Sequence, residues 1–132
     1  MKLLVVEDAV PVRNRLISSL SDLKGVEVVG YAAAAPEAIE NFRASRPDVV
    51  TLDIRLPGGS GIEVLRTIKG EAPDTVVIMF TDHGLPQYRV RCAQEGANHF
   101  FEKSGDFTKL LQAVALLSRR FVRARSRRRK RP

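Results

Sequence analysis

Five polar side chains occupy positions where they could do chemistry: Glu7 and Asp8, Asp53, Thr81 and Lys103. Each closes or closely follows a short apolar run, namely Leu3–Val6, Val49–Leu52, Thr75–Phe80 and Ala97–Phe101. Carboxylates from three of these positions, gathered at ~4 Å, would repel by about 4 kcal/mol per pair at an effective dielectric near 20. Such a cluster must take up a proton or hold a cation, and hard oxygen donors with open positions suit Mg2+. An ammonium from Lys103 and a hydroxyl from Thr81 complete a receptor for a phosphoryl group. Asp53 is the natural nucleophile, because its apolar run ends there and a Pro57-Gly58-Gly59 turn follows. Ordinary acids at strand ends would account for any one of these positions, but not for all five.

The elements that must bring them together can be read from periodicity. Leu3–Val6 reads as a buried strand, and Val12, Leu16, Leu20 and Leu23 mark one face of a helix that stops at Gly25. Val26–Val29 reads as a second strand, and Pro36 opens a helix whose inner face holds Ala38, Ile39 and Phe42. After Pro47, Val49–Leu52 forms a third strand. Ser60 and Glu63 have the spacing of a capping box for a helix with Ile62, Leu65 and Ile68 inward, broken at Gly70 and Pro73. Thr75–Phe80 is the most hydrophobic run and reads as a central strand. Residues 86–95 form a weakly apolar helix, and Ala97–Phe101 a fifth strand. A last helix is expected from a Ser104 N-cap through Phe107, Leu110, Leu111, Val114, Leu117 and Phe121.

Five β-α units in series imply an α/β domain with one doubly wound parallel sheet between two helical layers. Right-handed crossovers place the C-terminal ends of all strands on one edge. The residues expected there are Glu7-Asp8, Gly30-Tyr31, Asp53, Thr81-Asp82 and Glu102-Lys103. Only the second strand brings no reactive group. A strand order of 2-1-3-4-5 predicts this, because it sets strand two at the margin and strands one and three together at the switch point.

With these residues in view, the sequence resembles the bacterial two-component response regulator receiver domain, the CheY-like, flavodoxin-like (βα)5 sandwich. The resemblance covers residues 2 to about 120. It rests on the acidic pair Glu7-Asp8, on Asp53 with Pro57 and Gly61 four and eight residues on, and on Thr81 and Lys103. It implies that Asp53 is the phosphoacceptor, with Asp8, Asp53 and the Arg55 backbone carbonyl binding Mg2+ and Glu7 assisting through water. Thr81 would be the switch hydroxyl, Lys103 the phosphate-binding amine, and Phe100 the aromatic switch residue, without the hydroxyl of the commoner Tyr. Arg55 and His83 fall where the family tunes loss of the phosphoryl group. Asp82 is a departure, since a small residue usually follows the switch Thr. The implied partner is a sensor histidine kinase or a histidine phosphotransfer protein, with output through the surface of the fourth helix, fifth strand and fifth helix. The chain would then be a phosphoacceptor and not an enzyme, beyond catalysing its own phosphorylation and dephosphorylation.

Composition separates a second feature from the first. The chain has 132 residues and a formal net charge of +7, yet residues 119–132 hold eight Arg and Lys130 without one acid. Removing these nine from 22 basic residues leaves 13 against 15 acids, so residues 1–118 carry about −2. The expected organisation is a receiver domain over 1–120 and an Arg-rich tail over 121–132, which could extend the last helix for a turn or two before like charges favour disorder. No run approaches the ~20 apolar residues of a membrane span, and the single cysteine, Cys92, excludes an internal disulfide and suits a reducing cytoplasm. No helix-turn-helix is evident, so a stand-alone, monomeric receiver with an unknown downstream protein partner is expected. The tail alone offers contact with nucleic acid or an anionic surface. A receiver that is not phosphorylated, or a polyanion binder acting through the tail, is the rival reading. A haloacid-dehalogenase-type phosphatase would want a second Asp where Arg55 stands, and a flavodoxin would not place Glu7-Asp8 against a phosphate.

Overall fold

The computed structural model describes residues 1–129. In chain order the elements are β1 (Lys2–Val6), α1 (Val10–Ser21), β2 (Glu27–Ala32), α2 (Ala35–Ser45), β3 (Val49–Leu52), β4 (Arg55–Leu56), β5 (Gly59–Ser60), α3 (Gly61–Glu71), β6 (Val76–Thr81), α4 (Pro86–Gln94), β7 (His99–Glu102) and α5 (Phe107–Arg129). The main sheet is parallel, ordered β2-β1-β3-β6-β7, which is the expected order once the β4–β5 hairpin is set aside.

The period-two alternation of each strand divides the core into two layers. Leu4, Val6, Val50, Leu52, Val77 and Met79 face Phe42 of α2, Val64, Leu65 and Ile68 of α3, and Cys92 of α4. Leu3, Val5, Val49, Ile78 and Phe80 face Leu16 and Leu20 of α1 and Leu110 and Val114 of α5. Each fully buried Leu or Ile contributes roughly 1.5–3 kcal/mol, so both helical layers are held by their apolar stripes. The helix α4 brings only one fully buried side chain, Cys92, which makes it the most weakly held of the five. No helix among the described residues is long and apolar enough to cross a membrane.

Several expectations are corrected. The strand β2 runs on to Ala32, so Gly30 and Tyr31 lie within it and are not at its end; a Gly-Tyr step looks like a turn signal but here pairs with Leu4 and Val5. The stretch after Asp53 is not a plain turn but a two-residue hairpin, Arg55 and Leu56 pairing with Ser60 and Gly59, with Gly58 at φ 76° at its tip. Gly70 lies inside α3, which ends a residue later. The last helix starts at Phe107, not after Ser104: Leu110 N–H donates to the Asp106 carbonyl, and the Asp106 carboxylate accepts from Glu102 N–H at 2.9 Å. The Arg-rich segment is helical through Arg129 and not disordered over 121–129; residues 130–132 of that expectation lie outside the described residues. Arg and Ala are good helix formers, and a packed helix needs no new nucleus to continue. Propagation from the buried turns of α5 outweighs like-charge repulsion.

Candidate functional site

Asp53 is delivered by the end of β3 and held from both sides. Its Oδ1 accepts from the Ile54 N–H at 2.7 Å, and its Oδ2 accepts from Lys103 Nζ at 2.7 Å. The same Nζ pairs with Glu7 Oε1 at 2.7 Å, while Glu7 Oε2 accepts from the Ala9 N–H at 3.2 Å. Glu7 and Asp53 are buried, at 1% and 5% exposure, whereas Asp8 is exposed. Oxygens of Glu7, Asp8 and Asp53 all lie within 4.8 Å of one another.

The close approach has a backbone cause. Gly61 N–H donates to the Ile54 carbonyl at 2.7 Å, and a Cβ at Gly61 would overlap the Asp53 carbonyl. Glycine therefore lets the first turn of α3 press against the strand end. Ser60 caps that turn, its hydroxyl accepting from the Ile62 N–H at 3.1 Å. Glu63, the other half of the expected capping box, has no side-chain bond back to Ser60 among the described contacts.

Burial pushes the Glu7 carboxyl above the ordinary carboxylate range, against the Lys103 bond and the Ala9 N–H. Burial pulls the Lys103 ammonium the other way, but its bonds to Asp53 and Glu7 outweigh this and raise it above the usual lysine value. One ammonium thus pairs with two buried carboxylates, and a third, Asp8, lies within 4.8 Å of both. With all four ionised the cluster carries −2, so a divalent cation would balance it, and the all-oxygen donor set fits Mg2+. Asp8 and Arg55 border one shallow surface hollow, with Pro57, Ser60 and Tyr88.

The remaining residues divide by depth. Thr81 is fully buried at the end of β6, and its hydroxyl accepts from the His83 N–H at 3.2 Å. Asp82 is exposed and has no ion-pair partner among the described residues, while the Arg55 side chain is exposed and His83 half-buried. Phe100 is half-buried on β7, with the Arg89 guanidinium 4.6 Å from its ring centre. Arg89 also reaches Glu102, at 3.6 Å. Two contributors carry no signal in residue type: the Ile54 amide, which is backbone, and the Gly61 approach, which depends on how tightly α3 docks. Arg89 is recognisable from sequence as a surface residue of α4, but not as the cover of Phe100.

Known proteins share this arrangement of elements. Residues 3–115 match the family described as response regulator receiver domain. Response regulator GacA of Pseudomonas syringae pv. syringae is 32% identical over 117 residues, which are 89% of this chain and 55% of that protein. The chain thus spans about half the length of the curated relatives it matches. The crystal structure of a LuxR-family two-component response regulator from Aurantimonas sp. is 31% identical, with a TM-score of 0.82 over 89% of this chain and 84% of that one. A chain of the CheX–CheY–BeF3–Mg2+ complex from Borrelia burgdorferi is 30% identical, with a TM-score of 0.81 over 89% and 88%.

Proposed function

The chain belongs to the response regulator receiver family, and from that premise we propose that Asp53 accepts a phosphoryl group from a phosphohistidine of a histidine kinase or phosphotransfer protein. The observation that carries this reading is the grip on Asp53: a buried carboxylate fixed by the Ile54 N–H and Lys103, with two more carboxylates within 4.8 Å. In the transfer, a carboxylate oxygen of Asp53 forms the new P–O bond as the P–N bond of phosphohistidine breaks. The departing imidazole recovers its proton from solvent, and the product is an acyl phosphate. Lys103, already 2.7 Å from Asp53, moves its charge onto a phosphoryl oxygen, and the Thr81 hydroxyl is placed to donate to another. A divalent cation held by Asp8, Asp53 and the Arg55 carbonyl would supply charge neutralisation for the incoming group. The chain is then a phosphoacceptor that promotes its own modification and its loss, and not an enzyme with a separate substrate.

The readout follows from the same contacts. When Thr81 turns toward the new anion, its bond to the His83 N–H is given up and the α4 start loosens. Phe100 is free to repack beneath Arg89, shifting the population of the α4–β7–α5 surface. Few buried contacts hold α4, as a movable element requires. The exposure of Asp82 supports this reading, because a carboxylate turned to solvent leaves the Asp53 approach open.

Incubation with Mg2+ and acetyl phosphate, followed by intact mass, tests the proposal. One phosphoryl adduct is expected on the wild type and none on Asp53→Asn. Absence of an adduct, together with no change of Phe100 resonances on adding beryllofluoride, would sink it.

A further inference from the structure

The receiver chemistry uses nothing beyond about residue 121, yet α5 continues to Arg129. Its packed turns end at Ser118 and Phe121. The Ser118 hydroxyl donates to the Lys24 carbonyl at 2.8 Å, and Phe121 borders a groove with Met1, Val49 and Val76, the starts of three strands. The helix therefore leaves the domain at the edge opposite Asp53. From there Val122 through Arg128 are all exposed. Val122 and Arg123 still border Leu23 and Lys24, and Arg128 borders the groove beside Met1 and Asp48, but no side chain from 122 to 128 is buried.

Its charge has one sign. Arg119, Arg120, Arg123, Arg125, Arg127 and Arg128 are all exposed, and none forms an ion pair among the described residues. Asp48 and Asp74 border the groove at the foot of the helix, where Arg120 and Arg128 also lie, but neither reaches an arginine there within salt-bridge distance. Arg119, Arg123 and Arg127 follow at i, i+4 spacing, where like charges cost the helix a few tenths of a kcal/mol per pair. A polyanion along that row would relieve the repulsion.

Chemistry narrows the polyanion. A membrane-surface helix needs an apolar face, and Val122 is the only large apolar side chain after Phe121. Single strands are held largely by stacking on aromatic rings. The one ring available, Phe121, is half-buried and covered by Arg125 at 5.2 Å. Arginine rather than lysine favours bidentate contact with phosphate. Residues 119–129 rise about 16 Å at 1.5 Å each and are ~10–12 Å across, dimensions that enter the ~12 Å major groove of B-form DNA but not the narrow one of duplex RNA. No Asn or Gln stands on these turns to read an adenine edge, and a run of one cationic residue type matches the uniform phosphate backbone.

We infer that the projecting end of α5 binds the phosphate backbone of duplex DNA, without regard to sequence. This site is separate from Asp53 and does not rest on its phosphorylation.

The test is fluorescence anisotropy of the full chain with a labelled duplex of arbitrary sequence, from 50 to 200 mM salt. With about four phosphates neutralised, log Kobs against log salt should slope near −3.6, a loss of roughly 150-fold over that range. The variant R119Q/R120Q/R123Q/R127Q keeps good helix formers and should abolish most of that slope. The matching all-Lys variant should retain it, and its loss there with helix content unchanged by circular dichroism would defeat the inference. Ala124→Pro keeps every charge but interrupts the helix, and is expected to weaken duplex binding several-fold. Unchanged binding by Ala124→Pro would overturn the helical site. Tighter binding to single strands, duplex RNA, polyglutamate or phosphatidylserine vesicles would overturn the choice of ligand. Asp53→Asn should bind duplex as the wild type does.

Discussion

At the end of β3, two buried carboxylates share one ammonium, each also bonded by a backbone amide, and a third carboxylate, Asp8, lies within 4.8 Å. At the far end of α5, six exposed arginines stand apart from any counter-charge pair among the described residues. The first region carries −2 when its four groups are ionised, and position decides its behaviour, since moving one atom unpairs a buried charge. The second has no defined partner atom and acts through total charge. Buried charge is screened little by salt, and exposed charge strongly. The two regions should therefore answer differently to the same perturbation.

The largest expected contrast is between one cation in each region. Lys103→Met removes the ammonium that touches both Glu7 and Asp53. Acetyl-phosphate-driven adduct formation should fall on the order of 10³-fold, the effect of losing a preorganised charge at a reacting oxygen. Arg123→Gln should leave adduct formation within about twofold. Time courses by intact mass decide the matter, and a comparable loss in both variants would erase the distinction between position and sum.

A second contrast lies within α3. Gly61→Ala drives a methyl group into the Asp53 carbonyl, and should cost about 3 kcal/mol, the upper end for overpacking, together with most phosphoryl acceptance. Gly70→Ala has nothing within 4 Å to meet and should stabilise the domain by about 0.5–1 kcal/mol. Urea unfolding of both variants checks the pair. A neutral Gly61→Ala would mean that α3 can retreat without disturbing Asp53.

These two glycines show how far the sequence could be read. The sheet order was legible because four strands end in polar chemistry and one does not. Glu7, Asp8, Asp53, Thr81 and Lys103 stand out in the sequence because polar groups at the ends of apolar runs are costly without a partner. What Gly61 does could not be seen in residue type, since Gly61 and Gly70 look alike until the distance from α3 to β3 is known. The β4–β5 hairpin was hidden because two-residue strands have no periodicity. Ser104 and Asp106 are both good caps, and only the Glu102 N–H decides between them. The helix α5 runs to Arg129, further than the turn or two expected, because propagation from a packed helix outweighs the charge repulsion visible in composition.

Ser118 marks the boundary between the two regions and yields a smaller effect. Its buried hydroxyl satisfies the Lys24 carbonyl, so Ser118→Ala should cost about 1 kcal/mol without altering adduct yield. A loss of duplex binding larger than this stability change would indicate that the docking of α5 also sets the aim of the arginines. Denaturation and anisotropy on one preparation separate the two.

The smallest effect tests whether charge at the reactive edge works through a bond or through a field. The Asp106 carboxylate is held below its ordinary value of 3.8, first by the Glu102 N–H and then by the nearby charges of Lys109 and Arg89. A depressed carboxylate stabilises the fold above its unfolded value, and that contribution is lost as pH falls through the lower folded one. Asp106→Ala should therefore be less stable than the wild type at pH 7, by less than Ser118→Ala, and the gap should close on acidification below about pH 3.8. Denaturation curves at both pH values, with EDTA present, measure it. Repeating the pH 7 pair at high salt then separates the causes. A gap that survives belongs to the hydrogen bond that turns the chain from Glu102 toward α5, one residue from Lys103. A gap that disappears belongs to Lys109 and Arg89, and the reactive edge would then owe part of its order to the same salt-sensitive summation that governs the arginines.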